Sequence, residues 1–293
     1  MTGASEVVRT SSRRRHQQGV LMVVGGIVSV QVGSSFAKGL FSQAGPGGVV
    51  FLRLVIAALL LAVVVRPAPR YLANRSAIAF GVCLAGMNWS FYEALDRIPL
   101  GVAVTIEFVG PLGVAVAQSR RRADFAVVAL AAVGIGLLTR SGGGGLDLVG
   151  AGFALLAGAF WAAYILLSAR VGARLPGSAG LAVALLVGSL VTLPVGVSSL
   201  WGELSWGLLL GGAGVALLSS AIPYSLEMEA LRRLPTGVFG VMMSLEPAMA
   251  ALAGFVVLHE QLAWRQWLAI GLVVLASVAA TVRAAPPAAP HPD

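Results

Sequence analysis

The chain has 293 residues, 58% of them hydrophobic and 11% charged, a balance too apolar for the surface of a soluble domain. Its net charge of +8 would suit nucleic acid, but the basic residues are spread between apolar runs instead of gathered on one patch. The single cysteine, Cys83, lies inside such a run, which excludes a disulfide framework and a cysteine metal site.

Residues 1–18 are polar and basic and read as a disordered, cytoplasmic N-terminus. The first apolar run follows with no polar domain behind it, so it is expected to be a retained helix and not a cleaved signal. Ten runs of roughly bilayer-spanning length then succeed one another. They cover 19–37, 46–65, 76–95, 99–118, 124–140, 148–168, 179–200, 206–230, 235–258 and 264–282. Pro46, Pro99 and Pro235 stand at or next to predicted starts, where a missing N–H costs least. Glycine occurs at 37 positions, enough to give many helix faces the smallness that close packing in lipid requires. Residues 284–293 form a proline-rich tail that is expected to be disordered.

The stretch Glu93-Ala94-Leu95-Asp96-Arg97-Ile98-Pro99-Leu100-Gly101-Val102 recurs 136 residues later as Glu229-Ala230-Leu231-Arg232-Arg233-Leu234-Pro235-Thr236-Gly237-Val238, and the offset still holds at Pro111 and Pro247. The chain therefore reads as an all-α membrane protein of ten transmembrane helices in two five-helix repeats, 19–140 and 148–283. Five spans is an odd number, so the second repeat enters the membrane inverted. Duplicated, inverted units are the sequence mark of secondary transporters, with a binding site near mid-membrane between the halves. Counting basic residues along alternate connections puts fifteen on one side and four on the other (Lys38, Arg97, Arg140 and Arg265). This bias predicts that both termini are cytoplasmic. The charge then serves topology and anionic headgroups, not nucleic acid.

Several stretches carry a family resemblance: Gly86-Met87-Asn88-Trp89, Glu107-Phe108-Val109-Gly110-Pro111, Pro223-Tyr224-Ser225-Leu226-Glu227-Met228, and Met243-Ser244-Leu245-Glu246-Pro247-Ala248. They resemble the drug/metabolite transporter superfamily, within it the ten-helix EamA branch, and most closely its threonine/homoserine exporters. The resemblance covers about 19 to 283. It implies efflux of small amino acids across a bacterial plasma membrane, driven by the proton gradient. Glu229 departs from the pattern, standing where the family would carry an apolar residue.

The residues themselves nominate a site. Glu107 lies about 12 Å into the fourth span and Glu246 about 16 Å into the ninth. A central carboxylate is costly unless it faces water, a partner or a substrate. One reading is that they meet a substrate ammonium or a proton; the other is a protonated glutamate bridging helices. Pro111 releases the carbonyl of Glu107, Pro247 that of Met243 and Pro223 that of Ser219, beside Ser220. Freed carbonyls can bind an ammonium or hydroxyl, or simply mark kinks re-satisfied by neighbours. Arg53, roughly 10 Å deep in the second span, can fork a substrate carboxylate, neutralise a glutamate, or bind helix-end carbonyls. Asn88 and Tyr92 share a face of the third span, as do Trp161 and Tyr164 in the sixth. Tyr224 is the repeat mate of Asn88. All five are candidate pathway residues, with lipid-facing or packing roles as the alternative.

Glu227, near the cytoplasmic end of the eighth span, is a candidate inner gate or an interface charge. Glu93 with Arg97 and Glu229 with Arg233 read as i,i+4 braces. Lys38 is expected to snorkel, and Trp201, Trp206, Trp264 and Trp267 to form an interfacial belt.

No cofactor or metal is implied, and the expected partners are an amino acid, protons and the bilayer, with the chain a monomer or homodimer. A transporter of another small metabolite or drug would share the bulk features. An organic-phosphate antiporter would carry paired basic residues at mid-membrane, where only Arg53 stands. An intramembrane enzyme would need a metal cluster or a Ser–His pair, but His16 and His259 flank spans and His291 is in the tail. A passive scaffold gives no reason for Glu107 and Glu246.

Overall fold

Within hydrocarbon the backbone must close its own hydrogen bonds, so long apolar runs fold as helices. The computed structural model describes residues 2–117, 124–139, 146–176 and 178–284, with side chains except at 2–13, 124–128, 139, 224, 236, 237, 283 and 284. The arginine cluster at 120–122, the glycine loop at 141–145 and the tail from 285 lie outside the described residues.

Thirteen α-helices follow in chain order: α1 (Thr2–Gly39), α2 (Phe41–Val65), α3 (Arg75–Arg97), α4 (Leu100–Glu107), α5 (Val109–Ala117), α6 (Asp124–Thr139), α7 (Leu148–Gly172), α8 (Ala179–Leu200), α9 (Trp206–Ala216), α10 (Ile222–Leu231), α11 (Thr236–Met243), α12 (Glu246–Val257) and α13 (Trp264–Ala284). A 3-10 turn occupies Pro69–Tyr71 and a π turn Leu217–Ala221. No strand occurs among the described residues. Among the described residues, eight segments are long and apolar enough to cross a membrane. Of the remaining predicted spans, α3 has 23 residues but is more polar, and α6 has 16.

Three predicted spans are broken, each by a proline. The run 99–118 divides at Phe108 into α4 and α5, and 235–258 divides at Ser244 and Leu245 into α11 and α12. Pro111 and Pro247 sit in the first turns of α5 and α12, where their missing N–H leaves no bond unmade. In the run 206–230, Pro223 cannot donate to Ser219, and the Ile222 N–H reaches back to the Leu217 carbonyl, which produces the π turn. Pro99 and Pro235 each hold an extended conformation at the cap of the following helix. The second span begins at Phe41 instead of 46, bending at Gly45 (φ 60°) before Pro46, a backbone angle that glycine adopts without strain.

The two halves interlock. The leading helix α1 packs along α9, α10, α11 and α12, while α7 packs along α3, α4 and α5. Further contacts run between α2 and α8, α3 and α8, α6 and α13, and α4 and α12. Small residues set the tightest crossing. A Cβ at Gly158 of α7 would stand 2.6 Å from the Glu107 carbonyl oxygen, and one at Gly110 would collide with the Gly158 carbonyl. The expected braces form: Arg97 pairs with Glu93 at 2.9 Å and Arg233 with Glu229 at 2.7 Å. The four belt tryptophans are exposed, Trp201 by 83% and Trp206 by 82%. Lys38 does not snorkel. Its ammonium is held by Glu260 at 2.7 Å and by the Ile98 carbonyl at 3.3 Å.

The crossing at Gly158 should tolerate no side chain. Gly158→Ala is expected to lower stability by about 1–3 kcal/mol through overpacking. Gly152→Ala, on the same helix with nothing within 4 Å of the added carbon, should be neutral or stabilising by about 0.5–1 kcal/mol. Thermal unfolding of the purified protein in detergent measures both.

Candidate functional site

The helix breaks and the crossing enclose a cavity of about 210 Å³. Both halves build its wall. From the first come Val30, Gln31 and Ser34 of α1, Arg53 of α2, Met87, Asn88 and Phe91 of α3, and Val104 and Glu107 of α4. From the second come Trp161 and Tyr164 of α7, Ser219 of the π turn, Glu227 of α10, Met243 of α11 and Glu246 of α12. Glu107, Glu246, Glu227, Arg53, Asn88, Trp161, Tyr164 and Ser219 therefore converge as the sequence led one to expect, although α1 and α12 are far apart in the chain.

Arg53 is 8% exposed and is held by three acceptors. Its Nε donates to Ser220 Oγ at 3.4 Å, one terminal nitrogen to the Tyr92 hydroxyl at 3.2 Å, and the other to the Ser219 carbonyl at 3.0 Å. Pro223 thus frees a carbonyl, and the guanidinium takes it up: of the three readings of Arg53, the bond to a released helix carbonyl is realised. Among the described residues no ion pair joins Arg53 to a glutamate. A guanidinium has five N–H donors, so two remain for another acceptor.

Tyr92 and Ser220 are corrected by this arrangement. Tyr92 is fully buried, absent from the cavity wall, and packs on Phe41 and Phe91 with ring centroids 5.5 and 6.0 Å away. Its hydroxyl and that of Ser220 position Arg53 from behind. The carbonyl that Pro111 releases at Glu107 lies against Gly158, where a Cβ would stand 2.6 Å from it. Tyr224's side chain lies outside the described residues.

Three carboxylates share the wall. Glu107 and Glu246 are 8% and 7% exposed. Glu246 lies within electrostatic reach of Glu227 and Glu107, and Glu107 within reach of Arg53. Glu246 occupies the first turn of α12, where the helix dipole favours negative charge. Glu227 faces the cavity beside Gly26 of α1, so it is no interface charge. Asn88 donates to the Leu84 carbonyl at 2.8 Å, leaving its oxygen for the cavity side. Trp161 meets Phe108 edge-on at 5.4 Å, and Tyr164 packs on Phe80 at 4.9 Å.

Two polar wall residues escaped the sequence reading. Gln31 and Ser34 lie one turn apart on α1, 3% and 2% exposed. Among the described residues, Gln31 Oε1 and Ser219 Oγ are the buried side-chain oxygens without a hydrogen-bond partner in the protein, and both residues line the cavity. A glutamine inside the apolar run 19–37 was the available signal. Among the described residues no cluster of metal-ligating side chains occurs.

Comparison with known proteins identifies the family. The model of the EamA-like transporter family matches residues 148–282. Threonine/homoserine exporter RhtA of Escherichia coli strain K12 is 42% identical over 272 residues, covering 90% of this chain and 91% of the relative. The protein of the same name from Salmonella typhimurium strain LT2 shows the same identity and coverage. The uncharacterized transporter YwfM of Bacillus subtilis is 28% identical over 66% of this chain and 69% of its own. A solved crystal structure superposes with a TM-score of 0.60 at 18% identity, over 90% of this chain and 97% of its own, a likeness of fold. Matched along nearly its whole length by exporters of this kind, the chain is a multi-pass membrane protein that belongs to the EamA-like transporter family.

Proposed function

We propose that this protein exports small zwitterionic amino acids of the threonine and homoserine type by alternating access. The observation that carries the reading is the composition of the cavity wall: a guanidinium with unoccupied N–H groups and three carboxylates, set among apolar and aromatic side chains and drawn from both halves of the chain. Carboxylates complement an ammonium, and the two remaining N–H groups of Arg53 complement a carboxylate. Gln31 and Ser219 offer oxygens to a side-chain hydroxyl, the place first assigned to Tyr92. The volume lies below the roughly 300–1,000 Å³ of drug-sized pockets, which favours a metabolite over a large drug. The names of the relatives point the same way.

The architecture we infer has ten spans, α3 and α6 completing the eight apolar ones, in two inverted five-helix repeats with both termini cytoplasmic. Supporting this, α4 and α11 match end for end at the repeat offset of 136 residues, and their breaks fall at Phe108 and Ser244. We assign coupling to protons carried by the Glu107, Glu246 and Glu227 group, whose members crowd like charges in one cavity. An exporter of another small metabolite is the competing assignment; efflux of labelled homoserine and threonine from loaded vesicles, with and without a pH gradient, separates the two.

Glu107→Gln or Glu246→Gln should abolish efflux or its dependence on the pH gradient while the protein still reaches the membrane. Glu93→Gln and Glu229→Gln should only reduce abundance, through the loss of pairs worth about 0.2–0.5 kcal/mol each. Gln31→Leu should narrow the preference for homoserine over valine by the roughly 1–3 kcal/mol that a lost buried hydrogen bond costs, read from competition for efflux. For topology, Ser12→Cys should resist an impermeant thiol reagent in intact cells and Gly143→Cys should react, each in a Cys83→Ala background. Labelling of Ser12→Cys would contradict the inverted arrangement.

A further inference from the structure

Outside the cavity, the charged group with the most organised surroundings is Glu260, in the connection between α12 and α13. One of its oxygens accepts from the Lys38 ammonium at 2.7 Å, and the other accepts from the Leu100 N–H at 2.8 Å. Lys38 also donates to the Ile98 carbonyl at 3.3 Å. Three segments distant in sequence are thereby tied at one end of the molecule: the end of α1, the start of α4 and the turn after α12. The turn itself is built to present the carboxylate. His259 adopts a left-handed φ of 55°, and the Glu260 N–H returns to the Gly254 carbonyl at 3.0 Å, which caps the end of α12. A histidine in that conformation is strained relative to glycine, and such strain persists only where the surroundings hold it. The pair is well enclosed, the side chains being 25% and 13% exposed.

Beneath this tie the helices close. Gly101 of α4 lies against Ala251 of α12, where a Cβ would stand 2.6 Å from the Ala251 Cα, and Gly254 lies close to both Leu100 and Glu260. At the opposite end the partners related by the repeat are α5 and α11, and no comparable packing joins them among the described residues. The two ends are thus unequal: α4 and α12 pack closely at one, and α5 and α11 do not at the other.

We infer that Glu260, held by Lys38 and the Leu100 N–H, is the latch of a gate that seals the α4–α12 end of the cavity and must release for substrate to pass there. The offset of 136 carries Lys38 to Arg174 and Glu260 back to Asp124, so each half supplies one basic and one acidic residue at matching points. Arg174 donates to Ser76 Oγ at 3.3 Å on an exposed surface, and the side chain of Asp124 lies outside the described residues. The inference rests on the reading of the chain as an alternating-access transporter, but not on the identity of the substrate.

The test is accessibility of the cavity from the latched face. In a Cys83→Ala background, Val104→Cys on the wall is probed with a membrane-impermeant thiol reagent applied separately to each face, and Gly39→Cys, at the exposed end of α1, reports which face carries the latch. Val104→Cys should be protected from the latched face. Glu260→Ala should raise its labelling from that face about tenfold, as a shift in a two-state equilibrium would, and Lys38→Gln should raise it in the same direction. Lys38→Arg, which keeps the pair, should preserve protection. No gain with either Glu260→Ala or Lys38→Gln, or an equal gain from both faces, overturns the latch. Because labelling needs no substrate, this result stands or falls separately from amino-acid efflux.

Discussion

A proline inside a membrane helix leaves a carbonyl without its partner, and in hydrocarbon no water replaces the missing N–H. The whole site is organised around three such prolines. At Pro223 the chain widens into a π turn and the Ser219 carbonyl is taken by Arg53. At Pro111 the Glu107 carbonyl settles on Gly158 of a neighbouring helix. At Pro247 the chain stops one helix and starts another, so that the proline falls in a first turn. The first two solutions each demand a particular neighbour, Arg53 of α2 and Gly158 of α7, and the cavity wall also draws on α1, α3, α4, α10, α11 and α12.

The bond between Arg53 and Ser219 also explains how a cation resides there. A guanidinium deep among apolar helices is costly unless its donors are satisfied. Two hydroxyls and one carbonyl satisfy three of them, and the planar fork fixes the direction of the rest. Tyr92 contributes by orienting Arg53, with the guanidinium carbon 5.7 Å from its ring centroid. The same cation stands within electrostatic reach of Glu107, so a substrate ammonium, a proton and Arg53 would act on one group of carboxylates. Competition among these is the physical form that coupling takes in the proposed cycle.

Interlocking of the halves determines what can move. Because α1 packs on the second half and α7 on the first, the two repeats cannot part as separate bodies. In the proposed cycle the breaks at Phe108, between α4 and α5, and at Ser244, between α11 and α12, are the places where the backbone can hinge. The polar tie at Glu260 joins α4 of one half to the end of α12 of the other from outside the cavity, where substrate chemistry does not reach it.

Much of this was legible in the sequence. Runs of about 20 apolar residues imply membrane helices because the bilayer sets their length. The repeated Glu-Ala-Leu stretch and the prolines at equal offsets implied the duplication and the breaks, and the spacing of Glu93 and Arg97 gave a local brace, since an i,i+4 pair depends only on helical pitch. Glu107 and Glu246 stood out because ionisable residues are rare at that depth. Tertiary structure alone decided which way side chains face, for a helix apolar on all sides carries no periodic signal that separates lipid from protein neighbours. That is why Tyr92 was expected in the cavity but supports Arg53, and why Gln31 and Ser34 passed unnoticed. It is also why Lys38 was read as snorkelling, its partner Glu260 being 222 residues away; contacts across such a separation are set by how the halves interlock, which no local pattern in the chain encodes.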